Sequence, residues 1–156
     1  DPEEVAEMIR GADLIYVGGG NTLMMMKLWR RLGVDQLLLE AHANGTVLAG
    51  LSAGALCWFD YGHSDSMSFY TPDDWDYIRV TCLGILPFTG CPHYDGEGRD
   101  KSFQSMIAKA GASPHMRKSL SFIGQAPAHC RPGSPASPPD RCRGSGCARS
   151  HCAWKP

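Results

Sequence analysis

Long apolar segments are missing from this 156-residue sequence, and so is an excess of charge of either sign. No hydrophobic run reaches the roughly 18–20 residues that a membrane helix needs, and the first residues do not have the pattern of a cleavable signal. A formal net charge of −1 argues against extensive contact with nucleic acid. The 43% hydrophobic and 20% charged composition is typical of a folded domain. We therefore expect a cytoplasmic protein with neither a membrane nor a nucleic acid as partner.

The charge is unevenly distributed along the chain. Residues 1–112 carry 8 Lys and Arg against 15 Asp and Glu, whereas residues 113–156 carry 7 against 1. The second range also holds 7 of the 11 prolines and 4 of the 7 cysteines. Its few apolar residues lack the periodicity that would offset the entropy cost of ordering. We predict a folded domain over 1–112 and a disordered tail over 113–156.

The cysteines do not indicate a metal site. In the tail, Cys142, Cys147 and Cys152 are evenly spaced, with Cys130 and His151 nearby, but no hydrophobic cluster accompanies them as in a structural zinc site. Three more cysteines lie within or beside apolar runs of the predicted domain: Cys57, Cys82 and Cys91. That setting is typical of buried free thiols in a reducing compartment, so we expect neither disulfide, metal nor other cofactor.

Short apolar segments alternate with helix signals over the first 112 residues. We predict strands at 14–17, 46–51 and 80–86, and helices beginning at Asp1 and spanning 22–32, 53–59 and 102–110. The segment 14–17 is apolar on both faces, as in a buried parallel strand. Strands that alternate with helices predict an α/β domain with a parallel sheet.

The strongest motif is Gly50-Leu51-Ser52-Ala53-Gly54, a G-x-S-x-G sequence placed where a predicted strand meets a predicted helix. A serine on such a sharp turn has strained backbone angles, so its neighbours must be small. The turn exposes the hydroxyl beside free N–H groups at the start of the helix. Small residues also allow tight strand–helix packing, which is the plainer interpretation. The strand–turn–helix context favours Ser52 as a nucleophile.

A second glycine-rich loop, Gly18-Gly19-Gly20-Asn21, also follows a strand and precedes a helix. It does not match the G-x-G-x-x-G dinucleotide pattern, because Leu23 occupies the position of the last glycine. A loop of this kind can supply a second N–H donor to an oxyanion hole. An ordinary tight turn is the alternative.

A third loop, which begins at Cys91, contains His93, a candidate general base for a serine nucleophile. Arg99 in the same segment suits two-point binding of a carboxylate. Asp95 and Glu97 have the spacing of metal ligands, but no second histidine is close to them, so we do not expect a metal there. Spacing alone does not decide which carboxylate would orient His93. Five aspartates lie between the serine and the histidine: Asp60, Asp65, Asp73, Asp74 and Asp76.

Taken together, these segments resemble the serine dipeptidase E family, the α-aspartyl dipeptidases related to cyanophycinase. The matching pieces lie within residues 1–110 and occur in the family's order: Gly18-Gly19-Gly20-Asn21-Thr22, Gly50-Leu51-Ser52-Ala53-Gly54-Ala55, Cys91-Pro92-His93 and Gly96-Glu97-Gly98-Arg99. The resemblance implies a fold like that of class I glutamine amidotransferases. Because the family's domain has further strands and helices on either side of this region, we expect a sheet that is incomplete at both ends.

The resemblance also implies a function and a set of site residues. Ser52 corresponds to the nucleophile, His93 to the base and, by the position of the segment 62–65, Asp65 to the third member of the triad. Gly20 and Ala53 fall where the family has its oxyanion hole. Arg99, with Asn21 as a further substrate-binding residue, corresponds to the group that binds the aspartyl carboxylate. The implied substrate is a small peptide with N-terminal Asp, cleaved through an acyl-enzyme.

Two other functions remain open at the level of sequence. One is an esterase of the α/β-hydrolase type, which shares the G-x-S-x-G motif and the chain order of its triad. The other is an inactive homologue or a binding module, since we expect an incomplete sheet to hold the site weakly. A homodimer is compatible with the peptidase function and with both alternatives.

Overall fold

The computed structural model describes residues 1–96 and 98–109, together with the backbone of residues 119–122. The elements in chain order are α1 (Pro2–Arg10), β1 (Leu14–Val17), α2 (Thr22–Leu32), α3 (Val34–Ala43), β2 (Val47–Gly50), α4 (Ala53–Leu56), β3 (Phe59–Ser64), a 3-10 turn (Ser66–Phe69), β4 (Ile78–Thr81), β5 (Leu86–Pro92), α5 (Arg99–Lys109) and β6 (Ser119–Phe122). The predicted α/β class is confirmed.

The strands form two groups. In the first, β1 pairs with β2 in parallel. The second has the order β4-β3-β5-β6, in which β3, β5 and β6 are mutually parallel and β4 lies antiparallel at one edge. Loops that follow the carboxyl ends of parallel strands are where α/β folds place ligands, and the three candidate segments of this chain follow β1, β2 and β5 in this way.

Two helices form as predicted because their ends carry strong signals. Asp1 caps α1, its carboxylate accepting a hydrogen bond from the N–H of Glu3 at 3.0 Å, and a proline occupies the first helical position. Gly33 ends α2 in the left-handed conformation, with φ of 74°. The same glycine precedes α3, a helix that was not predicted from the sequence. The signal for α3 was present in the apolar spacing Val34, Leu37, Leu38, Ala41, an i, i+3, i+4, i+7 pattern.

Two predicted elements were wrong in extent. The strand predicted at 80–86 is two strands, β4 and β5, separated by a turn in which Gly84 has φ of 78°. The helix predicted at 53–59 stops at Leu56, and the chain enters β3 at Phe59. A glycine within β3 weakened the strand pattern: Gly62 faces the Leu56 side chain so closely that a Cβ there would lie 3.1 Å from Leu56 Cδ1.

The prediction that β1 is buried on both faces was also wrong. Ile15 and Val17 pack against the core, but Leu14 is 58% exposed and Tyr16 is 62% exposed on the opposite face. The described part of the chain thus covers only one side of this strand.

The main core cluster lies between α2, α3 and the strands. Its six buried members are Met26, Leu38, Cys57, Trp58, Val80 and Cys82. The predicted buried, free state of Cys57, Cys82 and Cys91 is confirmed. Burial raises the pKa of the Cys82 thiol to about 12, which keeps it protonated and unreactive at neutral pH.

One described strand, β6, lies beyond the predicted boundary at residue 112. Strand β6 pairs with β5 in parallel, with Thr89 opposite Ser119 and Pro92 opposite Phe122. The alternating sequence Ser-Leu-Ser-Phe suits a strand, and β5 would otherwise offer unpaired backbone groups at that edge. The rest of the predicted tail, including Cys130, Cys142, Cys147, His151 and Cys152, lies outside the described residues. In the part that is described, no helix is long and apolar enough to cross a membrane.

Candidate active site

Ser52 occupies a strained turn between β2 and α4. Its backbone angles, φ of 54° and ψ of −115°, are rare for a residue with a side chain. Both flanking glycines are required by contact: a Cβ on Gly50 would lie 2.1 Å from the carbonyl oxygen of Gly54, and one on Gly54 would lie 2.1 Å from that of Val17. The G-x-S-x-G segment therefore forms a tight connection from strand to helix, with Ser52 at its strained position.

His93 lies within hydrogen-bond distance of this serine. Its Nε2 is 2.9 Å from Ser52 Oγ, which is the separation a base needs to take the hydroxyl proton. His93 directly follows β5 and also has a positive φ, of 51°. The loops that follow β2 and β5, strands of the two different groups, thus bring together two residues that are 41 positions apart.

The glycine-rich loop passes beside the serine. A Cβ on Gly19 would lie 3.4 Å from the Cβ of Ser52, and Gly20 has φ of 143°, which favours glycine. Within the described residues, no hydrogen bond uses the backbone N–H of Gly20 or of Ala53 as donor. The predicted role of these two N–H groups in an oxyanion hole stays a prediction.

The Asn21 side chain is engaged in the fold. It caps α2 by accepting from the N–H of Met24 at 2.9 Å, and its amide donates to the carbonyl of Ser66 at 3.4 Å. Ser66 Oγ accepts in turn from the N–H of Leu23 at 3.0 Å. These contacts fix the turn that follows β3 against the first turn of α2, so the structure gives Asn21 a positioning contact. Its predicted contact with substrate stays a prediction.

Asp65 and Arg99 form an ion pair. Arg99 Nη1 donates to Asp65 Oδ2 at 3.2 Å, and Arg99 Nη2 donates to the carbonyl of His63 at 3.3 Å. The family resemblance implies separate roles for the two residues, with Asp65 orienting His93. In the described part of the chain, the side-chain hydrogen bond of Asp65 goes to Arg99 and none goes to His93.

Arg99 is held from several sides. Its guanidinium lies over the ring of Tyr77, 4.9 Å from the centroid, an arrangement that favours a cation. The Nε atom is buried, and none of the described residues accepts a hydrogen bond from it. This donor is enclosed by the protein, so the part of the chain that the structure describes neither pairs it nor exposes it.

A polar cluster lies beneath the ion pair. His63 Nε2 is 3.0 Å from Ser102 Oγ, its Nδ1 is 3.6 Å from Cys91 Sγ, and its ring stacks on Tyr77 at 4.4 Å. Burial, and then the positive charge of Arg99, lower the pKa of His63 to about 4. Burial raises the pKa of Cys91 to about 11. Burial therefore favours the neutral form of both side chains at pH 7.

Sequence reasoning missed this second layer of the site, namely the ion pair itself, Tyr77, His63 and Ser66. The residues of the pair are 34 positions apart, and the pairing of β3 with β5 together with the start of α5 brings them into contact. No linear motif marks them. Of the two acidic residues considered for metal binding, Asp95 is exposed and Glu97 lies outside the described residues.

A protein-family comparison matches the part of the chain that contains the three candidate segments. The model of peptidase family S51 matches residues 1–117 of this sequence, so the chain belongs to that family. This agrees with the predicted resemblance to the dipeptidase E proteins.

Two relatives illustrate the match. The Bacillus subtilis (strain 168) protein named Uncharacterized peptidase YgaJ is 45% identical over 106 residues, which cover 67% of this chain and 43% of YgaJ. Peptidase E of Shewanella amazonensis is 34% identical over 97 residues, covering 60% of this chain and 37% of that protein. The aligned region thus spans less than half the length of either relative.

A solved structure shares the fold. A crystal structure from Listeria monocytogenes EGD-e, named for peptidase E, superposes with a TM-score of 0.53 over 78% of this chain and 55% of the other, at 24% identity. At that identity the likeness describes the fold alone.

Proposed function

We propose that the protein is a serine-type peptidase in which Ser52 is the nucleophile and His93 the general base. The single observation that carries the proposal is the 2.9 Å separation of His93 Nε2 and Ser52 Oγ, at a serine whose strained backbone its neighbours enforce. Membership of peptidase family S51 supports a peptidase over the esterase alternative.

The chemistry follows from that geometry. Ser52 Oγ attacks the peptide carbonyl while His93 Nε2 takes the hydroxyl proton. The resulting tetrahedral oxyanion accepts hydrogen bonds from the backbone N–H groups of Gly20 and Ala53. His93 then returns the proton to the leaving amine, an acyl-enzyme forms on Ser52, and a water molecule activated by His93 hydrolyses it.

Arg99 gives the proposed specificity. We assign it to the carboxylate of a substrate whose N-terminal residue is Asp, because a guanidinium binds a carboxylate through paired hydrogen bonds. The position of Arg99 at the start of α5, which follows the loop that begins with His93, supports this assignment. The proposal does not give Asp65 the role of orienting His93, because its carboxylate is bound to Arg99.

The direct test uses the purified 156-residue chain and its Ser52→Ala variant. Cleavage of Asp-Leu is measured beside hydrolysis of p-nitrophenyl acetate and labelling by a fluorophosphonate probe. We expect cleavage of Asp-Leu and labelling by the parent chain, and loss of both in Ser52→Ala. Ser105→Ala, an exposed serine on α5, is the matched control and should behave as the parent.

Two results would contradict the proposal. Turnover of the ester without turnover of any peptide would favour the esterase alternative. Labelling that persists in Ser52→Ala would show that another residue reacts with the probe. The homodimer and the cytoplasmic location stay predictions of the sequence.

A further inference from the structure

A row of apolar side chains runs along the solvent side of α2. Its members follow one another at intervals of four residues and are 57%, 40% and 59% exposed: Met24, Leu28 and Leu32. Side chains four residues apart on a helix are neighbours, so these three form one continuous surface, the α2 stripe. The opposite side of the helix, with Met26 and Trp29, packs against the main core cluster. Packing of the core therefore does not account for the α2 stripe.

Further apolar side chains are exposed at the N-terminal end of α2. The 3-10 turn is held there because Ser66 Oγ accepts a hydrogen bond from the N–H of Leu23. Phe69, the last residue of this turn, is 58% exposed, and Tyr70, which follows it, is 51% exposed. Exposed apolar side chains that cluster on adjoining elements mark an interaction site, whereas single ones need no explanation.

Charges of opposite sign border the two ends of this surface. Lys27 and Arg31 lie beside the α2 stripe in the second and third turns of the helix. Asp73 and Asp74 lie shortly after Tyr70, at the end that carries the 3-10 turn. All four charged side chains are exposed, and among the described residues none of them takes part in an ion pair. The surface thus has a basic end and an acidic end.

A second copy of the same chain matches both the apolar and the charged features. When two copies pack their α2 stripes in antiparallel orientation about an axis at Leu28, Leu32 lies beside Met24 of the partner subunit. The same orientation directs Arg31 toward the acidic end of the partner subunit. A parallel orientation would instead bring the two basic ends together, where like charges repel.

Such a contact has the properties of a two-fold interface. The same residues are used by both copies, so each interaction occurs twice. Rows of side chains four residues apart are also the ridges most often used when helices pack together. The α2 stripe therefore supplies an apolar centre, and the charges supply a polar rim.

We infer that the α2 stripe is the surface through which two copies of this chain form a two-fold dimer, with the helices antiparallel and Leu28 at the centre. Arg31 then lies against the acidic end of the partner subunit. The inference gives the predicted homodimer a defined interface. It uses neither Ser52 nor His93, so it does not rest on the proposed function.

Sedimentation equilibrium of the purified 156-residue chain over about 1–100 µM covers dissociation constants in the micromolar range. We expect a monomer–dimer equilibrium for the parent chain. Leu28→Glu removes an apolar contact and places two like charges at the axis, so it should weaken association by at least about 10-fold. Met8→Glu, at an exposed methionine of α1 outside the α2 stripe, is the matched control and should associate as the parent does.

Reversal of the charges tests the orientation of the two copies. Arg31→Glu sets like charges against the acidic end of the partner subunit and should weaken association by about 5-fold. Adding Asp73→Lys and Asp74→Lys to Arg31→Glu restores opposite charges, and association should return to within about 3-fold of the parent value. A triple variant that associates no better than Arg31→Glu alone would exclude the antiparallel arrangement and overturn the inference.

Three further results would also overturn it. The first is a parent chain that stays monomeric over the whole concentration range. The second is a dimer that Leu28→Glu leaves intact, because association would then use another surface. The third is a monomeric parent whose Tm, followed by circular dichroism, falls in Leu28→Glu, because another part of the same chain would then cover the α2 stripe. Circular dichroism also establishes that each variant folds, and the charge reversal gives its result without any change at Leu28.

Discussion

Replacing Gly54 by alanine tests whether the strained turn at Ser52 depends on contact between backbones. A Cβ at this position would lie 2.1 Å from the carbonyl oxygen of Val17, 2.5 Å from its carbonyl carbon and 2.6 Å from the carbonyl oxygen of Gly18. Real Cβ contacts are essentially never shorter than 3.0 Å, so the end of β1 or the start of α4 must move by close to 1 Å. Because the clash is with backbone, no side-chain rotation relieves it.

That displacement has two expected effects. Overpacking of this kind costs about 1–3 kcal/mol, and a backbone clash belongs at the upper end, near 3 kcal/mol. Each kcal/mol lowers Tm by about 2–8 °C for domains of this size range. A shift near 1 Å also separates Ser52 from His93, and such a misplacement lowers the rate by about 100-fold.

The assay pairs Gly54→Ala with Gly18→Ala. Gly18 lies in the neighbouring loop, and a Cβ there would meet nothing within 4 Å. Thermal denaturation and the rate of fluorophosphonate labelling are measured on both variants. We expect a lower Tm and slow labelling only for Gly54→Ala. If Gly54→Ala melts and labels like the parent, the close contact between β1 and α4 is not present in solution.

Further predictions concern the reaction and the pH dependence of stability. Ser52→Ala should lower kcat by several orders of magnitude with binding of Asp-Leu retained, as calorimetry would show; near-parental turnover would refute its role as nucleophile. Arg99→Met should lower kcat/KM for Asp-Leu by about 10- to 100-fold with little effect on Asn-Leu, so an unchanged preference would show that Arg99 does not contact the substrate. Because the pKa of His63 is lowered to about 4 in the folded chain, from 6.5, its contribution to stability should be complete above pH 6.5 and fall as the pH drops toward 4. Urea unfolding between pH 7 and pH 4 checks this. The free energy of unfolding should fall less steeply with decreasing pH in His63→Asn than in the parent chain. Equal slopes for the variant and the parent would show that His63 is not the cause.

The parts of the fold that could be predicted from sequence are those with local signals. The N-terminal cap at Asp1, the stop at Gly33 and the G-x-S-x-G turn depend on residues within a few positions of one another. The separation of β4 from β5 and the existence of β3 depend instead on distant contacts. Gly62 is tolerated in the middle of β3 because Leu56 of α4 fills the space above it, and nothing near Gly62 in the sequence indicates that contact.

The same distinction applies to the site. Ser52 and His93 could be proposed because each belongs to a motif that follows a strand. The partner of Asp65 could not, since a carboxylate between the serine and the histidine fits either an orienting role or an ion pair. The choice depends on the register of β3 and β5 and on the start of α5, where Arg99 lies.

The glycines near Ser52 and the packing around them maintain the strained backbone of the site. Ser52 and His93 both have positive φ, and a non-glycine residue in such a conformation costs about 1–3 kcal/mol. The two together oppose folding by an amount comparable with a large part of the 5–15 kcal/mol that stabilises an ordinary domain. The strained conformation at Ser52 persists because close contacts leave no alternative: Gly50 packs on Gly54, and Gly54 packs on the end of β1. The 2.9 Å approach of His93 to Ser52 therefore depends on residues that contribute no functional group, and substitutions in that packing should impair the reaction as strongly as substitutions of groups that contact the substrate.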